Sequence, residues 1–185
     1  MDRSKHQTLT DLAHLLSRWN AIGDQIAALI GRPAQPGHIA EFVASLIFDI
    51  RLASSAAHKG ADGTFTSGPL SGASVNVKWS GKHEKLLNLV TTDPPDYYLV
   101  LTGQTAPAIS SRGRTRPWRI DHVFIFQTLD LHKVLEDRGI RMGEATSVIS
   151  RLWQAAEVFP TQESALLILN DEQRGLLSLF GPAGA

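Results

Sequence analysis

The chain has 185 residues and no cysteine, and its 18 Lys plus Arg are balanced by 18 Asp plus Glu. That length buries a core without staples and reads as one domain, 1–185, while the missing thiols exclude disulfides, thiolate zinc sites and cysteine nucleophiles. No apolar run approaches the roughly 18 residues of a membrane span, and MDRSKHQTLT lacks the apolar stretch of a secretory signal, so a soluble, cytoplasmic protein without membrane contact is expected.

From Leu9 to Ile30 apolar residues recur at steps of three and four, which predicts an amphipathic helix over 8–30. Thr8 or Thr10 is its expected N-cap and Gly31 its stop. Its apolar face serves packing or a dimer contact. A second helix is expected over 36–54, with Ile39, Phe42, Val43, Leu46, Ile47 and Ile50 as its main stripe. Glu41 lies nearly opposite that stripe, beside Ala44, Ser45, Phe48 and Leu52. A carboxylate in such company is either a helix N-terminal acid or a ligand facing a cleft.

ADGTF, SGPLSG and ASVNVKW then read as strand, turn and strand. In SVNVKW, Val75, Val77 and Trp79 share one face, and Asn76 and Lys78 project from the other. An antiparallel register with Asp62 opposite Asn76 or Lys78 puts all three polar groups on one side. HEKLLNLV reads as a short helix. YYLVL and HVFIF are apolar on both faces, which calls for helices on both sides of a mixed sheet.

Helices are expected from DLHKVLEDRG, closed by Gly139, and from EATSVISRLWQAAEVF, where Thr146 and Ser147 serve as caps. SALLILN is a strand or a helix turn, and NDEQRGLLSLF a closing helix, so 129–180 is mainly helical. The seven histidines show no HExxH spacing, and GxSxG and Walker patterns are absent.

Several residues carry possible chemistry. Asp62 and Glu41 offer two carboxylates, Asn76 a side-chain oxygen and Val77 a backbone carbonyl, the oxygen donors that magnesium prefers. Lys78 stands beside them. Lys82, His83 and Lys85 follow at once and either contact phosphate from a helix start or form a solvated first turn. SRGRTRPWR gathers Arg112, Arg114, Arg116 and Arg119 around Trp118, a basic patch for a nucleic-acid backbone or a plain surface loop.

A Glu on an early helix, an Asp opening a β-hairpin, and a following strand that places Lys two residues after a metal-ligand position together resemble the PD-(D/E)XK nuclease superfamily. Glu41 in GHIAEF, Asp62 in KGADGTF and Asn76-Val77-Lys78 in SVNVKW carry the resemblance, which covers about 36–127. It implies an α/β, restriction-endonuclease-like fold with extra N- and C-terminal helices. It further implies Mg2+- or Mn2+-dependent cleavage of DNA, with double-stranded DNA and a second copy of the chain as partners, in restriction, defence or repair. Asp62, Glu41, Asn76 and the Val77 carbonyl would hold the metal, and Lys78 would position or deprotonate the attacking water. Where the family usually has an acid, this chain has Asn76, which leaves the negative charge to Asp62 and Glu41 unless Glu84 or Asp96 comes close. The alternative is a module that keeps the fold and binds nucleic acid or protein without catalysis.

Overall fold

The structure is a computed structural model that describes residues 4–53, 60–105 and 117–182. It forms two compact units, Met1–Ile39 and Ala40–Ala185, with the boundary inside the second helix. The first unit is dominated by α1, Lys5–Ile30. Ser4, rather than a threonine, caps it by accepting the Gln7 N–H, and Gly31 ends it in the left-handed region with φ 69°. Thr8 and Thr10 lie inside the helix, where their hydroxyls donate to the carbonyls of Ser4 and His6.

The second helix, α2, is Pro36–Ile47 and stops seven residues short of the expected end at Ser54. Asp49 takes φ 52° and turns the chain into a strand, β1, Ile50–Leu52. The buried stripe of α2 is Ala40, Val43, Ala44 and Ile47, while Leu46 is 65% exposed. Two alanines on the buried line permit close approach, and the apolar pattern alone placed the face too far towards Leu46.

The hairpin follows as expected: β2, Gly63–Phe65, and β3, Ser74–Ser80, pair antiparallel. The segment read as the helix HEKLLNLV instead holds a two-residue strand, β4, Leu86–Leu87. Lys85 at φ 60° interrupts helical geometry, and Leu87 and Leu89 are buried while Leu86 and Asn88 are exposed. That is a period of two, not 3.6. The two apolar runs form β5, Tyr97–Thr102, and β6, His122–Gln127.

After α3, Thr128–Asp137, the expected long helix is divided. Thr146 and Ser147 are a strand, β7, paired with β4 rather than caps; α4 is only Ser150–Ala156, and Glu157–Phe159 forms β8. SALLILN holds neither strand nor helix, and α5, Asp171–Ser178, starts at a reciprocal cap between Asn170 and Gln173.

The protein is α/β, with a mixed six-stranded sheet in the order β1-β2-β3-β5-β6-β8 and flanking helices. Only β3 and β5 run parallel within it. On one face Tyr98, Val100, Phe124 and Phe126 pack with Leu131 and Leu135 of α3, Trp153 of α4, and Leu87 and Val148 from the small β4–β7 region. The opposite face buries Val75, Leu99, Leu101, Val123 and Ile125. Each such side chain contributes about 1.5–3 kcal/mol by leaving water. On that face Trp79 stacks on Trp118 with ring centroids 5.7 Å apart, and Phe180 meets Trp118 edge-on, which ties the C-terminal segment to the sheet. Among the described residues no helix is long and apolar enough to cross a membrane.

Candidate active site

The β2–β3 register pairs Gly63 with Val75 and Thr64 with Ser74. Continued by one residue, it sets Asp62 opposite Asn76, the arrangement that gathers the polar groups on one side. The Asp62 backbone is gripped from both edges: its N–H donates to the Val75 carbonyl at 2.8 Å, and its carbonyl accepts the Ala53 N–H at 2.9 Å. Because β2 begins only at Gly63, the edge of β3 beyond Val75 meets a side chain instead of a strand. Asp62 Oδ2 accepts the Val77 N–H at 2.7 Å. The N–H and C=O of one strand residue project to the same edge, so the Val77 carbonyl looks out on the Asp62 side.

Gly63 makes this approach possible. A Cβ there would lie 2.7 Å from the Arg51 carbonyl oxygen and 2.7 Å from Ile50 Cγ2. Gly63→Ala should therefore push β1 from β2, cost about 1–3 kcal/mol in a denaturant melt and displace Asp62. Full stability in that variant would show that the edge has slack.

Asn76 is 6% exposed. Its Nδ2 donates to the Gly60 carbonyl at 2.9 Å, and its Oδ1 is buried with no hydrogen-bond partner among the described residues. Gly60 supplies that carbonyl from φ 103°, where a Cβ would meet the Asp93 carbonyl oxygen at 2.6 Å. Nothing in the sequence pattern singled out Gly60, since its part is played by the backbone. A buried amide oxygen left without a donor is costly. A hard cation is one group that could satisfy it.

Lys78 lies two residues along the same face. Burial pushes its amine below the ordinary value of 10.5, and the charges of Asp62 and Glu41, in that order, pull it back up. Glu41 from α2 and Asp62 from the hairpin therefore act on one amine. The hairpin register and the Asp62–Val77 hydrogen bond bring Asp62, Asn76 and Val77 together, and Glu41 is tied to them through its charge on Lys78. Among the described residues no group of three or more His, Cys, Asp or Glu side chains forms a metal cluster. Two carboxylates and two neutral oxygens are a set that could serve magnesium, a cation content with one or two carboxylates and several waters.

Neither acid suggested as a replacement for the missing one is available for that role. Glu84 pairs with Lys82 at 3.0 Å, and Asp96 accepts the Ser74 N–H and hydroxyl at 2.7 Å each.

The basic residues after β3 need correction. No helix starts there. Lys82 is 8% exposed and bound to Glu84, and Lys85 donates to the Ser150 hydroxyl at 2.8 Å. His83 lies flat on Phe124 at 5.0 Å and edge-on to Trp153 at 4.7 Å. Burial first, and then His122 and Lys85, push its pKa down to about 4, so at neutral pH it has no charge to offer a phosphate. Arg119 is held by Asp121, with N–O distances of 2.7–2.9 Å. Arg112, Arg114 and Arg116 lie outside the described residues.

The His83 environment has a consequence for stability. A histidine with a depressed folded-state pKa takes up a proton more readily when unfolded, so its contribution is complete above 6.5 and fades as pH falls towards about 4. His83→Phe keeps the ring stacking and should flatten the fall in melting temperature across that window. An unchanged profile would assign the acid sensitivity elsewhere.

Sequence reasoning also missed the pair formed by His122 Nδ1 and Glu157 Oε1, 2.7 Å apart. They lie 35 positions apart on β6 and β8, and no spacing rule links them. No protein-family model and no curated protein matches the chain.

Proposed function

We propose that the chain is a metal-dependent nuclease of the PD-(D/E)XK type, with the restriction-endonuclease-like version of its α/β fold, hydrolysing DNA phosphodiester bonds. The observation that carries this reading is the set around Lys78: two carboxylates in electrostatic reach of one half-buried amine, beside a buried amide oxygen without a donor. Asp62, Glu41, Asn76 Oδ1 and the Val77 carbonyl would hold Mg2+ or Mn2+, which when bound offsets phosphate charge and acidifies a coordinated water.

The remaining work belongs to the chain. The Val77 N–H fixes the Asp62 carboxylate, and the Gly60 carbonyl fixes the Asn76 amide so that its oxygen is presented rather than its nitrogen. Lys78, its amine made easier to deprotonate by burial, orients the attacking water and takes its proton, or donates to the scissile phosphate. Double-stranded DNA, a cytoplasmic setting and a role in restriction, defence or repair extend this reading by analogy.

A second reading is a binding module that has kept the fold and lost the chemistry. Asn76 in an acid's position and the zero net charge favour it. Supercoiled plasmid incubated with Mg2+ or Mn2+ separates the two. Cleavage by the wild type but by neither Asp62→Ala nor Lys78→Ala supports the enzyme. Uncut plasmid that still binds supports the module, and equal cutting by all three overturns the assigned site.

A further inference from the structure

None of the 26 residues of α1 is buried. Seven of its large apolar side chains, Trp19 among them, are between 42% and 76% exposed. Leu9, Leu12, Leu16, Trp19, Gly23, Ile26 and Ile30 follow one another in alternating steps of three and four, the heptad seam of a helix that packs along another helix. Leu15, Ile22 and Leu29 widen the seam on one flank, and Ala13, Asn20 and Ala27 line the other. No charge interrupts it from Leu9 to Ile30.

The seam has one large knob and one gap. Trp19 is 70% exposed, and Gly23, a turn later, is a notch at which an added Cβ would meet nothing within 4 Å. A two-fold axis across the helix at the level of Ala21 sets Trp19 of each copy over Gly23 of the other. It also sets Leu16 over Ile26, Leu12 over Ile30, and the flank around Ile22 against itself. Two-fold contacts require this reciprocity. A parallel pair would instead stack Trp19 on Trp19 and leave the two glycines facing a void. The exposed parts of the seven side chains come to on the order of 700 Å2 per copy, close to the roughly 800 Å2 per partner of a standard stable interface.

We propose that α1 is a dimerisation element that pairs antiparallel with α1 of a second copy of this chain, centred on Ala21, with each Trp19 seated in the partner's Gly23 notch. The proposal stands apart from the chemistry at the sheet.

The chain contains no cysteine, so single substitutions read the geometry directly. In the antiparallel pair the two Ile22 positions are offset by about 3 Å along the axis and the two Leu9 positions by about 36 Å. Under mild oxidation Ile22→Cys should become a covalent dimer and Leu9→Cys should not. In sedimentation the wild type should be a dimer at micromolar concentration, and Gly23→Leu should weaken it at least tenfold. Leucine is the better helix former, so that loss would not reflect unwinding. Efficient coupling of Leu9→Cys overturns the proposal in favour of a parallel pair. A monomeric wild type with no Ile22→Cys coupling overturns it by showing that another part of the chain, or another protein, covers α1. Undiminished dimerisation of Gly23→Leu removes the notch and the proposal with it.

Discussion

Lys78→Met is expected to lower divalent-dependent cleavage by about 100-fold or more while raising the melting temperature at neutral pH. The two effects share a cause. Burial lowers the Lys78 pKa below 10.5, so the protonated amine is less comfortable in the folded chain than in the unfolded one. The sign follows from proton binding: between the folded pKa and 10.5 the unfolded state holds more protons, and stability rises with pH through that window. Below the folded pKa the penalty is complete, and at pH 7 a neutral methionine with a similar stem removes it. In a domain of this size each 1 kcal/mol moves the melting temperature by about 2–4 °C, so even a modest relief is measurable. If cleavage is lost and the melting temperature falls instead, attraction to Asp62 and Glu41 outweighs burial, and Lys78 is a structural ion-pair partner. Asp62→Ala, by removing the larger of the two attractions, should lower the Lys78 pKa further.

Asn76→Asp is expected to reduce the Mg2+ concentration needed for half-maximal cleavage about tenfold or more. A third carboxylate would then stand with Asp62 and Glu41, and carboxylates gathered in a partly dry site repel one another until a cation arrives. The variant should consequently be less stable than the wild type in chelator and gain more on adding Mg2+, a dependence that a thermal melt reads directly. It also gives up the hydrogen bond from Nδ2 to the Gly60 carbonyl, which adds to the loss without metal. A melt indifferent to Mg2+ in this variant would mean that position 76 does not face a cation.

How much of this could be read from the residues differs by segment. The alternation in SVNVKW fixed the faces of β3 but left Asp62 opposite either Asn76 or Lys78, two registers that bury the same side chains; the structure takes the first. YYLVL and HVFIF announced themselves as strands buried on both sides. Restriction-endonuclease-like detail within the α/β class remains part of the functional proposal.

The errors cluster where elements are two or three residues long. In β4 two leucines alternate, yet HEKLLNLV has the composition of a helix; β8 is the last three residues of a run in which only Ser150–Ala156 is helical. Strands that short are held by pairing with distant segments, β4 with β7 and β8 with β6, and local propensity carries no record of those partners. The helix start expected after β3 failed for the same reason. Once 82–90 packs as an extended segment over Phe124 and Trp153, Lys82 and His83 turn inward.

The chain has four tryptophans, and the fold places them in three different settings. Trp19 is exposed on α1, Trp153 is buried beside Phe124 and Phe126, and Trp79 lies against Trp118 with planes only 7° from parallel. Two indoles in such close stacking perturb each other's absorption and emission, so the spectrum of the pair changes when β3 and the chain at Trp118 come apart. The sheet thus carries an intrinsic optical gauge one residue beyond Lys78, distinct from the emission of the solvent-facing Trp19. Unfolding at the candidate site and events at α1 can be followed separately in the unlabelled protein.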